Sequence, residues 1–440
     1  MDTITGISTP IGSGAISIVR LSGVRAKSIA LHFFSSNLFS DIKDIQPNRM
    51  YLGVFNGSNF QEKCMCVYFK APYSYTGEDL VEFQLHGGVR LTNNVLKELL
   101  DGGARRATAG EFTRRAFLNG KMTLAEAEGA LSLINAESEA ELNAGYRMLE
   151  GAIGRKLRSL SSRLLEVITV ITASLDYPDE MADEVVAAKA PLEEIKKDLD
   201  AFYSTAKTGR YIKNGINVAI IGRPNVGKSS LLNALLQEDR AIVTDIAGTT
   251  RDTISESLVY EGIRINLLDT AGIRESEDAI ESIGIRRAYA AAERADVIIY
   301  LMDITEGETA EDKAFIERYA KCKLIKIFNK ADLKCGESSV DGLIISALNG
   351  EGIPQLLNEI ADIASDRRLY GDMLTEERHI DALRRAKERL DTAVENYTAM
   401  PEDCILIDLN ACYQAILEID GGTATEQIID SIFARFCVGK

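Results

Sequence analysis

The sequence predicts a multidomain protein: an α+β N-terminal domain, an all-α helical domain, and an α/β domain inserted into the helical one. That reading rests on three patterns. Up to residue 118, short apolar segments alternate with Gly, Ser and Pro turns. From residue 122 the apolar residues recur every three or four positions, and this pattern returns after residue 376. Between the two helical stretches, apolar runs are each followed by a polar loop of distinctive composition. The expected domains are 1–118, 119–211, 212–368 and 369–440.

In the first domain, segments 2–6, 15–21, 50–55 and 64–69 read as strands, and 24–34 and 91–100 as helices. Two polar clusters, 75–79 (YTGED) and 86–88 (HGG), read as turns. Cys64 and Cys66 alternate along one strand and should face the same side. Their spacing lacks the two residues of a zinc knuckle or redox pair, so they are expected to pack as core. The helical domain is expected over 124–171, 192–202, 376–397, 406–419 and 426–436, with a break at Pro178. A guest domain is tolerated in such a position when its own termini lie close together.

The middle segment carries the chemistry. Run 216–221 is followed by GRPNVGKS at 222–229 and then by a helical pattern. This is the context of a phosphate-binding loop. Asn225, Val226 and Gly227 would turn backbone N–H groups toward phosphates. Lys228 would add a point charge, and Ser229, followed by Ser230, a hydroxyl for Mg²⁺. Run 324–328 leads into Asn329, Lys330, Ala331 and Asp332. The Asp332 carboxylate accepts both N1–H and the exocyclic amine of guanine, which adenine cannot supply. Ser346, Ala347 and Leu348 follow a third run and would complete the base pocket. Asp269, Thr270, Ala271 and Gly272 follow run 265–268, with Asp269 toward Mg²⁺ and the Gly272 N–H toward the γ-phosphate. In segment 244–252, Thr250 offers a second hydroxyl to Mg²⁺. Five pieces in this order identify a GTP-binding domain of the P-loop class. Ile273 stands where many such proteins place a water-orienting glutamine, so the charged segment 274–281 is a candidate replacement. Arg251 is a candidate arginine finger. The Asn225 side chain could instead recruit a monovalent cation beside the phosphates.

Composition limits the alternatives. The chain has 440 residues, 46% of them hydrophobic, and a net charge of −16. Several cores are expected, and a uniformly basic nucleic-acid grip is not. Seven scattered cysteines and no recognisable leader point to a reducing, cytoplasmic setting. His32, His86 and His379 are too separated for a metal cluster. No apolar run is long enough to span a membrane. The chain ends Arg-Phe-Cys-Val-Gly-Lys. An exposed Cys437 there is a candidate nucleophile or active-site group, against the ordinary fraying of a tail.

Taken together, the start at Asp2-Thr3-Ile4, the YTGED and HGG loops, the segments 117–121 (FLNGK), 175–180 (LDYPDE), 222–230 and 244–252, and the Cys-(apolar)-Gly-Lys end resemble one family over the whole chain. It is the tRNA modification GTPase MnmE (TrmE) family. The resemblance implies a homodimer acting with a flavin-dependent partner, MnmG, on C5 of the wobble uridine of tRNA. The added group is aminomethyl or carboxymethylaminomethyl, and a tetrahydrofolate carries the one-carbon unit. It implies a folate-binding-like fold for the N-terminal domain, with folate contacts at Arg20, Glu78, Lys121 and Lys440, and a requirement for Cys437. It implies K⁺ near the phosphates, held by Asn225, Thr244, Ile246 and Thr249, within a loop that also includes Asp245, Ala247 and Gly248. The water-orienting carboxylate corresponds to Glu281. The family's usual phenylalanine is Tyr177 here. Two other classes share parts of this pattern: a ribosome-assembly or signalling switch, and a folate enzyme with a regulatory GTPase. The tail, Arg20, Glu78 and Lys121 favour the modification enzyme.

Overall fold

The structure, a computed structural model, describes residues 2–38, 44–237, 242–243, 256–268, 289–333, 340–364 and 372–439. It divides into two compact units. One comprises Met1–Leu131, Met148–Leu157 and Ile416–Lys440; the other comprises Ser132–Arg147 and Arg158–Ala415.

The first unit is built on a seven-stranded sheet in the order β3-β4-β5-β6-β2-β1-β7. Its strands are β1 (Ile4–Ile7), β2 (Ile16–Ser22), β3 (Phe34–Ser35), β4 (Met50–Asn56), β5 (Gln61–Phe69), β6 (Leu80–His86) and β7 (Arg105–Arg106). Helices α1 (Ala26–Phe33) and α2 (Val89–Asp101) share a core with it that includes Leu21, Phe83, Val95 and Leu99. Cys64 and Cys66 point into this core, as their alternation requires. Burial pushes the Cys64 thiol up to about 12. Strand β6 was not expected. Its residues Val81 to His86 alternate buried apolar with less buried polar positions, but the segment lies between the two clusters read as turns, 75–79 and 86–88, and was passed over. After β7, α3 (Glu111–Leu118) leads to α4 (Leu124–Asn135).

Four further helices precede the second sheet: α5 (Glu139–Leu149), α6 (Ala152–Asp176), α7 (Pro178–Ser204) and α8 (Ala206–Asn214). Pro178 ends one helix and opens the next, because its missing N–H costs nothing in the first turn. In the second unit α7 lies antiparallel to a helix from beyond the inserted segment, Glu377–Glu395. Lys196 pairs with Asp391 and Lys387 with Asp200, so residue numbers rise on one helix as they fall on the other. The Tyr397 hydroxyl adds a bond to the carbonyl of Val185 (2.7 Å).

The second sheet has the order β14-β13-β12-β8-β11-β10-β9. Its members are β8 (Ile216–Gly222), β9 (Ile242–Val243), β10 (Glu256–Tyr260), β11 (Ile263–Leu268), β12 (Val297–Asp303), β13 (Lys323–Asn329) and β14 (Leu343–Ile344). β14, β13, β12, β8 and β11 run parallel; β10 and β9 are antiparallel additions. Alternate residues of β8 enter different cores. Ile216, Val218 and Ile220 join α9 (Lys228–Leu236) and α11 (Ile353–Ala364), whereas Ala219 and Ile221 join Phe315 of α10 (Ala310–Arg318). This sandwich of helices about a parallel sheet is the α/β architecture expected for the middle segment. β12 is buried along its whole length and was not singled out beforehand. A continuous apolar run does not distinguish a buried strand from a buried helix. The helices α12 (Glu377–Glu395), α13 (Glu402–Asp420) and α14 (Glu426–Phe433) complete the chain.

Candidate active site

The phosphate-binding loop leaves the C-terminal end of β8 and enters α9, as its sequence predicts. Two residues give it its curve: Asn225 (φ 61°) and Gly227 (φ 98°), both left-handed. Gly227 has a second constraint, because a Cβ there would stand 2.2 Å from Asn329 Nδ2. Val226 is buried and anchors the loop in the core. Lys228 Nζ donates to the carbonyls of Gly222 (2.9 Å) and Arg223 (2.7 Å). Burial pushes its ammonium pKa down. Ser229 and Ser230 are exposed on the first turn of α9, where helical N–H groups have no intrahelical partner. An anion fits such a turn.

The base loop leaves β13 and is fastened to the phosphate loop by one side chain. Asn329 is buried; its Nδ2 donates to the Val226 carbonyl (2.9 Å), and its Oδ1 accepts from the Ala347 N–H (3.0 Å). Three expected loops are therefore joined at one amide. Lys330 takes a left-handed φ of 67°, and its Nζ reaches Asp303 Oδ2 at 2.7 Å. The Ala331 N–H donates to the Ile345 carbonyl (3.0 Å). The exposed Asp332 accepts a bond from Ser346 Oγ (2.6 Å), which fixes the carboxylate while leaving it accessible to a base. Leu348 is exposed beside them.

Two supports in this unit escaped the sequence reading. Asp303, at the end of β12, holds Lys330; a carboxylate at the end of a parallel strand was the available signal. Arg223, inside the phosphate loop, pairs with Asp312 Oδ1 (3.3 Å) and Glu306 Oε2 (2.8 Å). Asp312 is fully buried and also accepts from the Tyr300 hydroxyl (2.9 Å) and the Thr309 N–H (2.8 Å). Burial raises its pKa, but the bonds from Thr309 and Tyr300 and the Arg223 charge outweigh this and lower it. Thr244, Asp245, Ile246, Ala247, Gly248, Thr249, Thr250, Arg251, Asp269, Thr270, Ala271, Gly272, Ile273 and Glu281 lie outside the described residues, as does Lys440.

In the other unit, the sheet and α3 position a second group. Arg20, on β2, is fixed by Glu82 across the ladder, with Nε to Oε1 at 2.7 Å. Its guanidinium lies over the rings of Tyr75 (5.5 Å) and Phe112 (5.6 Å). Glu78 accepts from Ser22 Oγ (2.7 Å) and from Arg115 Nη1 (3.1 Å to Oε2). Lys121 is exposed, and its stem lies against Gly77, beside Glu78. Charges of both signs are thus held in fixed places, which suits a ligand with amine donors and a carboxylate. Arg115 was not anticipated. It sits on the buried face of α3, three residues after Phe112, and binds Asp2, Glu78 and Glu111. Burial disfavours its charge, but Glu111, Asp2 and Glu78 outweigh this and raise its pKa. Cys437 is exposed, as expected. Its backbone is not frayed: its carbonyl accepts from the Gly110 N–H (3.4 Å).

Two family models match the chain. "GTP-binding protein TrmE N-terminus" matches residues 3–121, and "MnmE helical domain" matches residues 124–437. The tRNA modification GTPase MnmE of Caldicellulosiruptor saccharolyticus is 39% identical over 458 residues, covering 100% of this chain and 99% of its own. The protein of the same name from Moorella thermoacetica is 40% identical over 460 residues, with the same coverage. The chain belongs to the tRNA modification GTPase MnmE family. The family is one of GTP-hydrolysing enzymes of tRNA modification. Among solved structures, Aquifex aeolicus Era is 28% identical over 40% of this chain and 66% of its own, with a TM-score of 0.27. Among the described residues, no helix is long and apolar enough to cross a membrane.

Proposed function

We propose that this chain binds and hydrolyses GTP, and that hydrolysis drives modification of C5 of the tRNA wobble uridine in concert with the flavin-dependent MnmG. The observation that carries the reading is the Asn329 amide, which joins the phosphate loop, the guanine loop and the Ser346-Ala347 loop. With a nucleotide in place, Lys228 exchanges its bonds to loop carbonyls for phosphate oxygens, Asp332 accepts the guanine N–H groups, and Glu281 orients water. Ser229, Thr250 and Asp269 would hold Mg²⁺, which neutralises charge between the terminal phosphates when bound. Asn225, Thr244, Ile246 and Thr249 would hold K⁺, supplying positive charge in place of an arginine finger. The left-handed, exposed Asn225 fits that role.

Arg20, Glu78, Lys121 and Lys440 would hold a tetrahydrofolate, the source of the one-carbon unit. The fixed Arg20–Glu82 and Glu78–Arg115 pairs keep these charges in place before ligand arrives. Cys437 serves the modification step. The working form is a cytoplasmic homodimer whose G domains, residues 212–368, pair on GTP and K⁺. The helical domain, 119–211 with 369–440, links them to the folate domain, 1–118. The alternative of a pure switch leaves Arg20, Glu78 and the ordered tail without a task.

The test is reconstitution from this protein, MnmG, tRNA, GTP and methylene-tetrahydrofolate. The modified wobble nucleoside is expected only with GTP and folate present, and Na⁺ in place of K⁺ should slow GTP hydrolysis. Product without folate, or equal rates in the two salts, contradicts the corresponding assignment.

A further inference from the structure

The end of the chain is gripped by the fold. Phe436 is buried with Leu124 and Phe433. Val438 bridges Ala109 in antiparallel fashion, and Ser8 Oγ donates to the Gly439 carbonyl (3.0 Å). Cys437 is therefore the crown of a short arch between two anchored residues, with its side chain outside. Gly439 turns with φ 102°, and a Cβ there would lie 1.9 Å from the Ile7 carbonyl oxygen. That oxygen belongs to β1, which is paired to β2 through Ile7 and Val19, so it cannot give way cheaply. Facing Gly439 is Gly6. A Cβ at Gly6 would stand 3.2 Å from Gly439 Cα and 3.3 Å from Phe112 Cε2. The two backbones touch because neither residue has a side chain. Gly6 is also the cross-strand partner of Arg20, and Phe112 carries one of the two rings on the Arg20 guanidinium.

We propose that Gly6 and Gly439 form a slot that positions the terminal arch, holding the Cys437 thiol in a fixed place for the modification step. The inference rests on the reading that Cys437 and Arg20 serve that step. Neither glycine touches a substrate; both act by fixing the backbone on which the reactive groups are carried. Any L-residue at 439 meets a disfavoured φ and a backbone oxygen together, so the arch must lift. Alanine at 6 meets only tight contacts that a shift of a few tenths of an ångström relieves, so its effect is milder and in the same direction.

The experiment uses full-length Gly439→Ala, Gly6→Ala and Cys437→Ser in the reconstituted reaction. Trypsin cleavage after Arg435, followed by mass spectrometry, reports whether the tail is held. For Gly439→Ala, kcat for the modified nucleoside is expected to fall by about 10²-fold, the usual cost of misplacing a reacting group by an ångström. KM for tRNA and the GTP hydrolysis rate should stay at wild-type values, and the tail should be cut faster. Gly6→Ala should show a smaller loss. Cys437→Ser should lose product while its tail remains as protected as in the wild type. Wild-type kcat in Gly439→Ala, a tail as resistant as the wild type's, or a change in KM alone would overturn the slot. Full product from Cys437→Ser overturns the role of the thiol instead, and with it the positioning role of the slot. Tail protection in the glycine variants then tells whether the structural grip itself is real.

Discussion

In the proposed site, single side chains decide what is recognised. The Asp332 carboxylate is aimed by Ser346 Oγ, and in the proposed site its charge makes it an acceptor for both guanine donors. Asp332→Asn replaces one acceptor by a donor. It should lower kcat/KM for GTP on the order of 10³-fold and favour xanthosine triphosphate, whose C2 carbonyl accepts from the new amide. Competition between the two nucleotides in a hydrolysis assay measures this, and an unchanged preference for GTP refutes the pocket. The loops that carry Lys228 and Asp332 were readable from sequence because each loop and its flanking run are contiguous. Asp303, Arg115 and Asp312 were not, because each gains its meaning from a partner brought near by folding. The same holds for Gly227, whose constraint comes from Asn329, about a hundred residues away along the chain.

At the scale of elements, several strands were readable from alternation or from a motif at their end, and β6 and β12 were not. β6 alternates cleanly from Val81 to His86 but lies between two turn-like clusters, and its Glu82 fixes Arg20. β12 shows no period because helices cover both faces of its sheet. Helix α3 illustrates how charge fastens an element. Burial raises the Glu111 pKa, but the bond from Arg105, the Thr108 N–H and Arg115 outweigh this and bring it from 4.5 to about 2. Asp2 is held at about 2, first by Arg105 and then by Arg115. A carboxylate whose folded pKa is depressed stabilises fully above its unfolded pKa and loses that contribution as pH falls through the folded one. The N-terminal unit should therefore weaken between pH 4.5 and about 2. Glu111→Gln should be less stable at neutral pH and lose less on acidification. Denaturant midpoints across that range check the sign, and parallel pH curves for variant and wild type would contradict it.

For the whole molecule, the family, the fold class and the helical segments on both sides of the inserted domain were readable, because motifs and the helical period survive in a linear string. The grip on the chain's end was not, since it depends on Gly6 and Gly439 meeting from opposite ends of the sequence. The loops proposed to bind nucleotide lie in one compact unit and Arg20, Glu78 and the terminal arch in the other. The central claim is that GTP turnover in the first is required for tRNA chemistry in the second. Lys228→Ala removes the phosphate-loop charge without touching the unit that carries Arg20 and Cys437. The deciding measurement is the nucleoside composition of tRNA from cells whose sole copy of the protein is Lys228→Ala. The account predicts loss of the C5-modified wobble uridine; a wild-type level of that nucleoside would contradict it.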